Sequence, residues 1–346
     1  MKASHIINRN SIESILVTGR IVEQFLSEYC HNKSSKINVP PNILDDCLSD
    51  IGLRLRPFLL RISYESDIRS FNEILPVAAG IELIQLSTLM IDDILDDSLI
   101  RNGKPSIFRK CGTKKALIYG TIMASMGISL VTETLIKNNT LKNRLVVLKL
   151  LTDTHINIYS GQSMDLDLEG DVNISEQQYY EIISKTTACF ILAPLVAGAM
   201  LWDAPSVLVS QLESVGYSLG MAYQIRDDVV DLLGDPELTG KPKALDLHER
   251  KMRLPVIHAL RCLSSKERNR IVELLERHGD LTVTEVEEET MLLEQAGSIE
   301  YAINKAKEYC LKADEVVDTL ASEFEHLKGH LRSVSKLISC FGDEWD

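Results

Sequence analysis

The sequence predicts an all-α protein. Apolar residues recur at three- and four-residue intervals through most of the 346 positions, as in "LVVLKLLTDTHINIYSG" at 145–161, the spacing of one buried helix face. Alternating strand-like runs between turn signals are scarce. Breaks rich in Gly, Pro, Asn and Asp fall at 31–41, 101–106, 137–139, 168–173, 202–206, 234–243 and 277–280, and the intervals suit helices of ordinary to long length. No composition shift, biased linker or fixed-period repeat divides the chain, so residues 1–346 are expected to form one helical domain.

Charge and composition narrow the function. Formal net charge is -13 and the basic residues form no stripe, which argues against a nucleic-acid surface and against attraction to anionic membranes. The N-terminus MKASHIINRN lacks an apolar signal core, and the longest uncharged run, "ALIYGTIMASMGISLV" at 116–131, is diluted with Gly, Ser and Thr and short for a span. A buried helix is expected there, without stable membrane insertion. The seven cysteines (30, 47, 111, 189, 262, 310 and 340) are odd in number and contain no CxxC pair, which suggests reduced packing thiols in a cytoplasmic protein. His326 and His330 have the i, i+4 spacing of a metal pair, but no third ligand accompanies them; an exposed last helix is expected.

The chemistry begins at "LMIDDILDDSLIRNGKP" (89–105), which sets aspartates in an apolar helical stretch. Asp92, Asp93 and Asp96 stand at i, i+1 and i+4, so the first and last share one helix face. Clustered carboxylates beside a packed face repel one another and resist desolvation, so a cation is needed between them. The stretch "YQIRDDVVDLLGD" repeats the spacing with Asp227, Asp228 and Asp231. Two such clusters facing each other across a cavity suit Mg²⁺, a hard ion that keeps waters and binds through a few carboxylates plus phosphate oxygens. A diphosphate held by metal between two helices is the expected ligand.

On these and four further motifs the chain resembles the trans-isoprenyl diphosphate synthase (polyprenyl synthetase) family, which shares its fold with terpene cyclases. "GLRLRP" (52–57) is similar to GKRxRP, "DDILDDSLIRNGKPS" to DDxxD followed by RRGxP, and "GQSMDL" (161–166) to GQxxDL. "KTT" (185–187) is similar to the KT pair, "YQIRDDVVD" to FQxxDDxxD, and "GKPKALDLHERKMRLPVIHAL" (240–260) to GKxxGxDLxxGKxTLPxIxAL. The resemblance implies a single large helical bundle with a central cavity, and a homodimer. It implies that Asp92, Asp93 and Asp96, with Asp227, Asp228 and Asp231, hold about three Mg²⁺ ions around an allylic isoprenoid diphosphate. Arg101, Lys185, Lys241 and Lys251 would contact its oxygens, and Thr186 and Gln224 would donate further hydrogen bonds. Asp92, Asp96, Asp227 and Lys185 would thus promote loss of diphosphate. Gln162 and Asp165 read equally well as parts of the bundle's own bonding.

Departures from the family concentrate in one place. Elongating members hold isopentenyl diphosphate in a second, cationic pocket, whose positions here carry Leu53, Arg56, Gln85 and Asn102. Two of three expected cations are missing. At about 1.5–3 kcal/mol per charge-assisted bond, binding should weaken by about 3–6 kcal/mol, roughly 10²–10⁴-fold, unless Arg54 or Arg253 compensates. Ala244 and Arg250 replace family glycines, Arg253 replaces a threonine, and the end "SCFGDEWD" is acidic where many relatives are basic. The reading ranked first is therefore a class I terpene-synthase-like lyase with a degraded isopentenyl diphosphate site. A chain-elongating transferase is the alternative, followed by a non-catalytic partner subunit, which has no physical need for six such aspartates. Ser87 and Thr88, one turn deeper than Asp92, are small and leave room for chains of at least about twenty carbons. Met123, Met126 or Met164 from neighbouring helices could close that space. Few aromatic residues, 5% of the chain, are available to stabilise a migrating cation.

Overall fold

A computed structural model describes residues 9–49, 52–234, 244–277 and 281–341. The fold is all-α. Helices α1 (Arg9–Ile37), α2 (Pro41–Ser49) and α3 (Leu55–Tyr64) lead to α4 (Leu75–Leu95), the helix of the first aspartate cluster. Next come α5 (Ile107–Cys111), α6 (Thr113–Lys137), α7 (Arg144–Asp167), α8 (Glu176–Ile183) and α9 (Cys189–Leu201). The long α10 (Ser206–Leu233) carries the second cluster. It is followed by α11 (Leu245–His248), α12 (Leu254–Cys262), α13 (Ser265–Glu276), α14 (Val283–Gln295), α15 (Ser298–Asp318) and α16 (Glu325–Ser339).

Two departures from the expected breaks have local causes. Helix α1 continues through the break expected at 31–41, because its buried stripe Val22, Leu26 and Cys30 keeps it docked. It ends only where Asn38 turns left-handed at φ 52°. The break expected at 101–106 is a hairpin: strands β1 (Ile100–Arg101) and β2 (Lys104–Pro105) pair antiparallel. Asn102 and Gly103 between them have φ 49° and 73°, the positive values that a type I′ turn requires. Asn-Gly is the dipeptide that adopts them at least cost.

Helix α4 runs through the middle of the bundle and crosses α6 at very close range. A Cβ at Gly80 would lie 2.7 Å from the Gly127 carbonyl oxygen, and one at Gly127 would lie 2.5 Å from that of Gly80. Only glycine allows this approach. Met123 and Met126 fill the same apolar cluster as Ile81 and Ile84 and are absent from the wall of the central cavity. Helices α4, α6 and the run Glu176–Leu201 are long and apolar enough to cross a membrane by length and composition, including the α6 segment that looked short in sequence; between 50% and 67% of each apolar window is buried within the bundle.

The last helix is not the exposed element expected. Its Leu327, His330, Leu331 and Val334 are buried. His330 meets the edge of the Phe58 ring at 5.3 Å, and its Nδ1 lies 3.2 Å from Ser11 Oγ. Burial drives its pKa down to about 4, so it packs as a neutral ring. None of the seven cysteines forms a disulfide; Cys30, Cys47 and Cys310 are buried, as packing residues should be, whereas Cys262 is exposed.

Glu289 of α14 is a defect in this packing. The residue is fully buried and neither carboxyl oxygen has a hydrogen-bond partner among the described residues. Burial pushes its pKa up to about 8, so the folded state keeps a proton that the unfolded chain gives up. Stability is therefore greatest below the unfolded carboxylate range and falls as pH rises towards about 8. Glu289→Gln, which cannot ionise, should raise the unfolding midpoint at about pH 9 and change it little at about pH 5. Thermal unfolding of parent and variant at both pH values is the check; equal shifts would mean that the carboxyl finds a partner.

Candidate active site

The cavity of about 510 Å³ at the centre of the bundle is walled by both aspartate helices. Asp92 and Asp96 face it from α4, and Asp227 and Asp231 face it from α10. The second aspartate of each cluster stands behind the wall, as a residue one position round a helix must. Asp93 is buried and takes hydrogen bonds from Arg101. Asp228 is fully buried, accepting from Tyr179 Oη at 2.6 Å and from Gln224 Nε2 at 2.8 Å.

Cations of the chain sit against the first cluster. The hairpin projects Arg101 back onto α4, where Nη2 lies 3.2 Å from Asp92 Oδ2 and 2.6 Å from Asp93 Oδ1. Lys251 Nζ lies 2.7 Å from Asp96 Oδ2 and 2.9 Å from Glu249 Oε2. Burial, then the neighbouring Asp92, pushes Asp96 above the usual carboxylate range, against the pull of Lys251. Gln162 donates to Asp92 Oδ1 at 3.3 Å.

Beside the second cluster the backbone is unusual. Residues Ser184–Ala188, between α8 and α9, form one turn of π-helix, a wide turn often found at functional sites. Helix α7 presses on it at Gly161, where a Cβ would lie 2.8 Å from Lys185 Cβ and from Thr186 Cγ2. The glycine of "GQSMDL" thus keeps α7 close to the turn. Thr186 faces the cavity. Thr187 donates to Gln224 Oε1 at 2.6 Å, so Gln224 links the turn to Asp228.

Other expected site residues are distributed as follows. Lys185 is not on the cavity wall; its Nζ donates to Glu181 Oε1 at 3.0 Å and contacts Met164 Sδ at 3.2 Å. Lys241 lies outside the described residues. Thr88 lines the cavity, whereas Ser87 is fully buried off the wall. Arg56 and Gln85 line it too, with the Arg56 guanidinium 4.7 Å above the Phe190 ring. Leu53 is 41% exposed at the rim. Arg54 does not stand in for a cation there: it is buried, with Nη1 3.3 Å from Glu82 Oε1. Arg253 is likewise engaged, with Asp165 at 3.1 Å and Asp246 at 3.3 Å.

Sequence reasoning passed over Tyr159, Phe190, Tyr223, Asp246 and Glu249, all on the wall. The low aromatic content concealed three rings concentrated at one place. For Arg253 the signal was present, as a departure from a motif.

The donor set fits Mg²⁺. Among the described residues no three Asp, Glu, His or Cys side chains converge as a ready cage. Mg²⁺ needs none, since it keeps several waters and takes one or two carboxylates plus phosphate oxygens. Asp92 with Asp96, and Asp227 with Asp231, are such pairs, and their mutual repulsion favours a cation.

Comparison with known proteins agrees with this geometry. The Polyprenyl synthetase family profile matches residues 40–292. The chain is 33% identical over 269 residues to a short chain isoprenyl diphosphate synthase of Methanothermobacter thermautotrophicus, covering 78% of this chain and 81% of that one. A geranylgeranyl pyrophosphate synthetase structure from Pyrococcus horikoshii superposes with TM-score 0.83 at 26% identity, covering 95% of this chain and 98% of that one. At 21% identity, with TM-score 0.79 and coverage of 94% and 98%, a geranylgeranyl pyrophosphate synthase of Corynebacterium glutamicum complexed with isoprenyl diphosphate and magnesium has the same fold. From the profile match, the identity to its relatives and the facing aspartate pairs together, this chain is a member of the polyprenyl synthetase family.

Proposed function

We propose that the protein is a chain-elongating prenyl diphosphate synthase, which joins an allylic isoprenoid diphosphate to isopentenyl diphosphate and releases inorganic diphosphate. The observation that carries this reading is the pairing of Asp92 and Asp96 with Asp227 and Asp231 across one cavity that also holds Arg56 and Gln85. Relatives named as diphosphate synthases favour elongation, so the order drawn from the sequence, lyase before transferase, is reversed.

Bound Mg²⁺ would supply Lewis-acid stabilisation of the leaving diphosphate. The chain's own residues would do the rest. Asp92 and Asp96 would hold the ion, and Arg101 and Lys251, now on those carboxylates, would then donate charge-assisted hydrogen bonds to the diphosphate oxygens. Thr186, whose hydroxyl donates to the Ile182 carbonyl at 3.1 Å, would turn that one proton to the diphosphate from the π turn. The apolar walls at Leu86, Leu89 and Ile158 exclude water from the allylic carbon, which protects the cation from hydrolysis until the second substrate's double bond attacks. That second substrate meets Arg56 and Gln85, with Leu53 and Asn102 where stronger contacts are expected, so it should bind weakly.

The allylic tail runs from the metal pair along α4. Thr88, one turn below Asp92, donates to the Gln85 carbonyl at 2.8 Å and presents little bulk to the cavity. Thr88→Phe should shorten the longest product by at least one isoprene unit, because the ring fills volume the tail needs. Chromatography of the dephosphorylated products tests it, and an unchanged length distribution would place the tail elsewhere. The reading as a whole is tested by incubating the protein with an allylic diphosphate, Mg²⁺ and labelled isopentenyl diphosphate. Label in a longer diphosphate is expected; hydrocarbon or alcohol without label would overturn it.

A further inference from the structure

Arg226 stands at a position that the motif FQxxDDxxD leaves open, yet it lines the central cavity. Tyr223, Arg226, Asp227 and Val230 follow at i, i+3, i+4 and i+7 along α10, and all four are on the wall, as residues of one helix face are. The guanidinium is set against the end of α16. Its Nε donates to the carbonyl of Cys340, the residue that caps that helix, at 2.9 Å, and Leu337 and Ile338 just before it line the same cavity. Tyr223, one turn before Arg226, stands within electrostatic reach of Arg56. Other cations on the wall have carboxylates to attend: Arg101 and Lys251 those of the first cluster, Arg54 that of Glu82, and Arg253 those of Asp165 and Asp246.

We infer that Arg226 supplies, from α10, one of the two positive charges that Leu53 and Asn102 do not provide, and so binds the diphosphate of the second substrate together with Arg56 and Gln85. The inference rests on the reading of the protein as a chain-elongating synthase. A carbonyl is a neutral acceptor, whereas a diphosphate oxygen is charged and accepts the stronger hydrogen bond, so the guanidinium gains by turning from Cys340 to the substrate. Arginine suits this place better than lysine. Its planar fork carries five N–H donors and can bond a diphosphate oxygen while another donor keeps the carbonyl.

The test is equilibrium binding of isopentenyl diphosphate to the full chain by calorimetry, without allylic substrate and without Mg²⁺. A pocket of side-chain cations needs neither, and omitting the metal keeps the ligand out of the aspartate-lined site, whose carboxylates repel it. Arg226→Gln should weaken binding by roughly 10–100-fold. Arg226→Lys, which keeps the charge and loses the fork, should fall between that variant and the parent. If Arg226 merely fastened α16, both variants would lose the Nε bond to Cys340 and weaken binding alike. A lysine variant that binds no better than the glutamine one therefore overturns the inference, as does a glutamine variant that binds as tightly as the parent. Either result, with the parent still binding, refutes only the role of Arg226. A parent that binds no isopentenyl diphosphate overturns this role and the elongating function together, whereas the expected order of affinities without any labelled longer product refutes the function alone.

Discussion

Asp92→Asn and Asp227→Asn should each reduce Mg²⁺-dependent turnover by roughly 10³-fold, equivalent to about 4 kcal/mol of transition-state stabilisation, with an unfolding midpoint close to the parent's. Both side chains line the cavity. Replacing either removes a ligand oxygen while relieving repulsion inside its own cluster. The aspartate one position on behaves differently. Asp228 is fully buried and joins Tyr179, Gln224 and Arg253, so Asp228→Asn should lower the midpoint as well as the rate, by the few kcal/mol typical of breaking a buried charged network. Steady-state rates and thermal unfolding of the three variants decide it. If Asp92→Asn and Asp227→Asn retain turnover, the cavity is not where the diphosphate ionises.

Leu53→Lys with Asn102→Arg should tighten isopentenyl diphosphate by roughly 10²–10⁴-fold, since two charge-assisted bonds contribute about 3–6 kcal/mol. Leu53 already lies at the rim with 41% of its surface exposed, so a lysine there need not be buried. The other site has a cost. Asn102 holds φ 49° in the hairpin turn, a conformation that arginine adopts less readily, and about 1 kcal/mol of the gain should be lost to it. Leu53→Lys alone should therefore give more than half of the improvement. The KM for isopentenyl diphosphate reads the effect directly. An unchanged value in the double variant would mean that this substrate is held by other residues.

How much of this could be read without coordinates depended on the range of the interaction. The period of apolar residues and the i, i+4 spacing of Asp92 with Asp96, and of Asp227 with Asp231, are local properties of a helix, and both survive into the fold. Which member of each cluster turns inward follows from the same geometry. What escaped was set by partners distant in the chain. Arg54 is one residue from Leu53 and looked able to replace a lost lysine, yet Glu82 holds it. His330 looked exposed because nothing beside it announces Phe58 or Ser11. Ser87 is small, as a tail channel needs, but helix rotation sets it off the wall. The hairpin at 100–105 was legible as a turn and not as the arm that carries Arg101 to Asp92, which depends on where α4 ends.

The π turn at Ser184–Ala188 changes how insertions and deletions in this chain should be understood. A π turn holds about one residue more than an α turn, and one residue corresponds to about 100° of rotation. Helices α8 and α9 are therefore two helical phases joined end to end. On one regular wheel Tyr179 and Phe190 would fall within about 20° of each other, whereas the π turn sets them roughly 80° apart, Tyr179 buried against Asp228 and Phe190 beneath Arg56. Deleting a single residue from the turn would restore a regular helix with both phases kept, whereas inserting a further residue would rotate one of them by about 100°.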